Sequence, residues 1–500
     1  MKVNYPEMII RKSDGLNPSE EYVSRLCNNT FLSLWSYPNV MKGDGKELCD
    51  LLVVFQNHVV IFSDKNYIFT KNDDIRISWG RWYKKAIQGA AKQIFGAERW
   101  LFKYPDSIFL DSKCAQSFPF QIPKQDDAVV HRIVISQGAS DDCREYWGGT
   151  GSLVLDSRII GDAHLNRDDC VPFTVGQINP DKGFVHIFDD VTLGIVMQTL
   201  DTVSDFITYL TKKELFFRDN EEVVVLGEEN LLASYLSNMN DDNEHWFLQN
   251  SFDTKEITGI VFLDDHWESF YNNRLRIAQL EANRISYMWD ELVEKFIYHV
   301  TTGTSAYLSH PNIREQSLMF QILAKENRTK RRYLAQAFMT ALQEALQNNK
   351  FTRTIVPKTN NEPYYLFLIL SHNKSCSDDT QYRAVRRDVL EKYLHLTKNR
   401  YPDAKDIVGI AINSLSDDNC SEDIMHLDAQ IWTDEDALRA KDSEKWLNDM
   451  GLIGKRKMHT STVSEYPDKK NQFSNVVKGS DRNKPCLCGS GKKHKRCCAT

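Results

Sequence analysis

Four cysteines close to the end of the sequence, Cys486, Cys488, Cys497 and Cys498, form two tight pairs with eight residues between them. Paired thiolates at this spacing can converge on a tetrahedral zinc ion, which takes soft ligands at about 2.3 Å. Gly489 and Gly491 supply the backbone freedom of the intervening loop, and Lys492, Lys493, Lys495 and Arg496 offset thiolate charge and favour deprotonation. A second reactive set lies near the other end: Glu47, Asp50, Asp64 and Lys65, with Glu98 farther along. A carboxylate beside a lysine can hold a divalent cation and orient or activate a water molecule.

Positioning these groups requires particular elements. Asn17-Pro18-Ser19-Glu20 is a helix start, with Asn17 as cap and early acids at the positive dipole end; this helix is expected to run to about Trp35. The apolar run Leu51 to Phe55, a turn at Gln56-Asn57 and the segment Val59 to Ser63 predict a hairpin with acids at its entrance. Strand alternation then puts Lys65 on the face of Ser63 and Asp64 on the other. From Trp79 to Trp100, apolar or small residues at 79, 82, 83, 86, 87, 90, 94 and 97 follow a helical period, and Val129 to Ser136 extends the sheet.

The order helix, hairpin, helix, strand, with Asp50 followed by Ser63-Asp64-Lys65, resembles the PD-(D/E)xK restriction-endonuclease-like superfamily. The resemblance implies a Mg²⁺-dependent phosphodiesterase in which Asp50 binds metal and Lys65 serves the attacking water. Ser63 stands where the second acid belongs. Glu98 is then the natural replacement, Glu47, Glu20 and Glu21 are others, and a bulge bringing Asp64 to the metal is a further route. Arg76, Trp79, Arg81, Trp82, Lys84 and Lys85 lie beside this region, with the aromatic residues assigned chiefly to packing.

The terminal segment from Pro485 to Cys498 resembles the SEC-C motif, the zinc module at the end of the SecA translocase motor and of many unrelated bacterial proteins. That resemblance makes Cys498 the fourth ligand, leaves His494 in the loop, and implies docking to a SecB-like chaperone, the ribosome or nucleic acid. Before it, residues 455 to 484 are polar and read as a flexible tether.

Five hundred residues, 41% hydrophobic and 26% charged, predict several folded domains. The net charge of -7 excludes a generally basic nucleic-acid binder but not local basic patches. The start lacks the features of a secretory signal, no apolar run is long enough to span a bilayer, and the other seven cysteines are scattered. The expectation is a cytoplasmic protein that makes no membrane contact.

Downstream, Asp189, Asp190 and His186 suggest a polar site or, as the preferred reading, a turn or cap. Residues 267 to 349 predict a helical bundle whose basic run, Lys325, Arg328, Lys330, Arg331 and Arg332, is a solvated face or a phosphate grip. Strands at 364 to 371, 407 to 414 and 425 to 432 and a helix at 382 to 399, with Arg383, Arg386 and Arg387 near its start, complete the pattern. The expected fold class is α/β (α+β): residues 1–265 a nuclease-like domain with a mixed sheet, 266–350 helical, 351–450 a second small α/β domain, 451–484 a linker and 485–500 the knuckle. The expected function is a nuclease or nuclease-derived protein acting on DNA or RNA, with anti-phage defence as the setting the architecture suggests. The alternative is a non-enzymatic adaptor working through its zinc tail.

Overall fold

The structure, a computed structural model, describes residues 10–467 except 241, 248–258, 306–312, 347–349, 373–377, 416, 418–420, 455–456 and 462. Cys486, Cys488, Cys497 and Cys498 therefore lie outside the described residues. The fold is mixed α/β with three sheets, in the expected class. No helix among the described residues is long and apolar enough to cross a membrane.

The chain opens with α1 (Pro18–Phe31), whose cap Asn17 accepts from the amides of Ser19 and Glu20. This helix ends short of Trp35 because Leu32 turns to a φ of 60° and the chain enters a strand. An antiparallel meander follows: β1 (Ser36–Lys42), β2 (Glu47–Phe55) and β3 (His58–Asn66). A long helical crossover made of α2 (Ile75–Tyr83), a π-turn at Lys84–Gln88 and α3 (Gly89–Lys103) then leads past the short β4 (Ile108–Phe109) to β5 (Val129–Gln137), parallel to β3. Such a parallel return needs a crossover of this kind.

After α4 (Ser140–Trp147) come β6 (Val154–Ile160), β7 (Thr174–Gln177), β8 (Val185–Asp189), α5 (Thr192–Thr199), α6 (Val203–Asp219), β9 (Val223–Leu226), α7 (Glu228–Ser237) and β10 (Ile260–Phe262). The first sheet has the order β4-β1-β2-β3-β5-β8 and the second β10-β9-β6-β7. In β2 the residues from Leu48 to Phe55 are all buried, as a strand covered on both faces must be. Helix α1 packs on β1 to β3 while α3 packs on β2, β3 and β5.

Helices α8 (His266–Tyr271), α9 (Arg274–Asn283), α10 (Tyr287–Thr301), α11 (Ile313–Ala324) and α12 (Arg328–Ala345) lead to a third sheet, β11 (Lys350–Ile355), β12 (Tyr364–Leu370), β13 (Asp406–Ile412) and β14 (Glu422–Asp428), in that order. Between these strands lies α13 (Asp379–Arg400), and α14 (Asp434–Asp449) packs against it. One apolar core runs from Val23 to Ile412 and takes in one face of this last sheet.

The three arginines of the basic run are buried, forming neither a solvated face nor a phosphate grip, whereas Lys325 is exposed. Arg328 bonds Asp201 and Asp290, the fully buried Arg331 bonds Asp290, and Arg332 donates to the carbonyls of Ser464 and Glu465. The expected tether also begins as a docked strap. Glu465 accepts from His245 Nε2 at 2.9 Å and Gln279 Nε2 at 2.6 Å, and the Tyr466 hydroxyl donates to the Leu236 carbonyl.

Candidate functional site

Leu51 stands opposite Phe62 in the antiparallel register of β2 and β3. The next opposite pair outward is Asp50 and Ser63, and residues opposite one another share a face. Lys65, two residues on, shares it too. Asp50 and Lys65 accordingly meet, with Lys65 Nζ 3.4 Å from Asp50 Oδ2. The same oxygen lies 3.2 Å from Ser63 Oγ and accepts from the Asp64 amide at 2.5 Å.

The other face of the cluster comes from α3. Gln93 Nε2 donates to Asp50 Oδ1 at 3.1 Å, and Gln93 Oε1 lies 3.1 Å from Ser63 Oγ. The sequence reading passed over Gln93. Its signal was positional: it sits three residues after Ala90 and four before Ala97 on the buried stripe, so a polar side chain there rests against the sheet.

Asp64 points to the opposite face, as alternation requires. It accepts from Ser19 Oγ at the start of α1 and from Gln137 Nε2 at 2.7 Å, and burial raises its pKa. Glu47 and Glu20 share the amide of buried Asn39, each 3.0 Å from Asn39 Nδ2. Burial pushes Glu47 up, with Asp50 and Glu20 adding to the shift and Asn39 and Lys65 opposing it. Lys65 pairs directly with Asp50 alone, while Glu47 and Asp64 lie within electrostatic reach of its ammonium.

Glu98 is not brought to this cluster. It forms a two-pronged ion pair with Arg132 of β5, 2.7 Å to Nε and 2.5 Å to Nη2. The helical rotation from Gln93 to Glu98 turns it toward that strand instead. Asp189 serves as a cap, accepting from the amides of Leu153, Val191 and Thr192, while Asp190 accepts from Gly138. His186 is fully buried with neither ring nitrogen bonded, which drives its pKa well down. Arg383 and Arg386 are tied to Asp423.

Among the described residues no three His, Cys, Asp or Glu side chains form a ready-made metal cage. The oxygens of Asp50, Ser63 and Gln93 nevertheless suit a hard cation. Magnesium is commonly held by one or two carboxylates, with waters and substrate phosphates completing its shell.

No curated protein and no solved structure matches the chain. One family model does: the SEC-C motif matches residues 482–500, the segment that carries all four clustered cysteines.

Proposed function

We propose that the Asp50 cluster is a phosphodiesterase-type site acting on nucleic acid with a single divalent cation, and that the terminal cysteines hold zinc in a docking module. The observation that carries the first part is the meeting of Asp50 and Lys65 on one face of adjacent strands. Helix α1, the β2-β3 hairpin, the helical crossover and the parallel strand β5 support it, since helix, hairpin, helix, strand is the order of the superfamily resemblance. Asp50 would hold the cation, whose contribution is to polarise the phosphate and acidify water. Lys65 stabilises charge developing on the phosphate oxygens, and Gln93 and Ser63 fix the carboxylate's orientation.

The adaptor reading draws on a different feature of the same cluster. Asp50 already receives donors from Ser63, Asp64, Lys65 and Gln93, so its charge is satisfied without a cation. An incubation of the full-length protein with single-stranded, linear and plasmid DNA and with RNA, in Mg²⁺ or Mn²⁺, separates the two. The nuclease reading expects cleavage that falls by about a hundredfold or more in Asp50→Ala and Lys65→Ala. Cleavage unmoved by both, or absent on every substrate, leaves the adaptor. Elemental analysis should find one zinc per chain, lost when Cys486 and Cys488 become Ser.

A further inference from the structure

Between Asp74 and Glu98 the chain carries Arg76, Arg81, Lys84, Lys85 and Lys92 and not one acid, within a protein whose net charge is -7. The structure sorts this segment cleanly. Trp79, Trp82, Tyr83, Ala86, Ile87, Ala90 and Ile94 face the core, while Arg81, Lys84, Lys85 and Lys92 stand exposed. These four cations enter no ion pair with a described residue. Elsewhere Arg132, Arg158, Arg167, Arg328, Arg331 and Arg386 each have a carboxylate partner.

Arg81, Lys84, Lys85 and Lys92 all stand on the solvent side of the continuous segment formed by α2, the π-turn and α3. Gly89 falls between Lys85 and Lys92 and is exposed, leaving the surface low there. Gln93, beside Lys92, is the residue that reaches Asp50. The basic flank therefore leads to the candidate site.

An aromatic ring lies beside this basic segment. Tyr67 follows Lys65 by two residues, just past the end of β3. The ring is 41% exposed, and Lys85 Nζ stands 6.0 Å from its centroid. Its backbone is pinned, with the amide donating to the Gln137 carbonyl at 3.1 Å and the carbonyl accepting from Trp82 Nε1 at 2.7 Å. Two residues on, the Phe69 amide donates to the Gly138 carbonyl at 2.8 Å and its ring is buried. Gly138 has a φ of 94°, and a Cβ there would stand 2.4 Å from the Tyr67 carbonyl oxygen. The loop is thus held by its ends while presenting Tyr67, and with it Ile68 at 85% exposure, to solvent.

We infer that Arg81, Lys85 and Lys92 track the backbone of a single-stranded polynucleotide, with Tyr67 stacking on an unpaired base beside Lys65. Exposed phosphate-binding cations and a presented aromatic face are two components of single-strand binding, and a duplex hides the base faces that Tyr67 would use. This inference rests on the phosphodiesterase reading for the position of the strand relative to Asp50, but its test does not require cleavage.

Fluorescence anisotropy of labelled single-stranded DNA and RNA, matched duplexes and polyphosphate competitor, measured on full-length Asp50→Ala protein without added divalent cation, reads binding alone. Single strands should bind more tightly than duplex. The Lys85→Glu, Lys92→Glu pair should weaken binding about tenfold or more and flatten the salt dependence by roughly 1.4 in log-log slope, two phosphates' worth. Tyr67→Ala should cost about tenfold on single strands, with Tyr67→Phe restoring most of it. These exposed substitutions should leave thermal melting unchanged. Affinity indifferent to the charge reversals and to Tyr67→Ala, duplex bound as tightly as single strands, or equal displacement by polyphosphate overturns the inference. Single-strand binding with these dependences but no cleavage by wild type keeps the track and removes the catalytic reading. Cleavage with binding unmoved by the variants does the reverse.

Discussion

At Asp50 a single buried carboxylate gathers donors from the neighbouring strand and a helix, and period-two alternation was enough to place two of those partners, Ser63 and Lys65. Asp50, Ser63 and Lys65 were legible because strand geometry ties sequence spacing to a shared face. Gln93 and Glu98 were not, because the direction a helix presents to a sheet depends on packing that local sequence does not encode. Asn39 was illegible for another reason: it links Glu20 and Glu47 from a φ of 50°, which nothing nearby in sequence announces. A second buried acid provides a test at this scale. Glu229 accepts from Thr150 and Ser152, one of its oxygens has no partner, and burial lifts its pKa to about 7. An acid whose folded pKa is raised stabilises most below its ordinary value near 4.5, and that contribution drains away as pH climbs toward 7. Glu229→Gln, neutral at every pH, should raise the melting temperature at pH 8 and leave it nearly unchanged at pH 4.5; an equal shift at both pH values would contradict this.

The elements tell a similar story about reach. Helix α1, the β2-β3 hairpin, β5, β12, α13 and β13 carry strong periodic or capping signals and lie where the sequence puts them, within a few residues. The strand β11 escaped because its side chains are mostly half-buried and its alternation weak, and α14 because its apolar stripe is thin among charges. The expected helix from Trp79 to Trp100 is longer, beginning at Ile75, and is interrupted by a π-turn at Lys84–Gln88. In α12 the charge run was legible but its burial was not, since the acids that neutralise it, Asp201 and Asp290, are distant in sequence. Removing Asp290 should strand the fully buried Arg331, whose other hydrogen-bond partners among the described residues are the carbonyls of Glu326 and Ala324. Asp290→Ala is therefore expected to cost about 3 to 5 kcal/mol in urea unfolding. A loss below about 1 kcal/mol, the range of an exposed pair, would show that the network contributes little.

Across the whole molecule, the first sheet and the helices around it hold the Asp50 cluster on a rigid frame, and the shared core extends through the helical segment into the third sheet. The strap at Glu465 and Tyr466 anchors the chain just before the region of the SEC-C match. The central claim is that Asp50 and its neighbours hold one catalytic cation, and electron paramagnetic resonance of Mn²⁺ titrated into the full-length protein measures this directly. The account predicts one Mn²⁺ bound per chain by wild type and by Glu98→Gln, and none by Asp50→Ala. Equal binding by wild type and Asp50→Ala, or no binding by wild type, would contradict it.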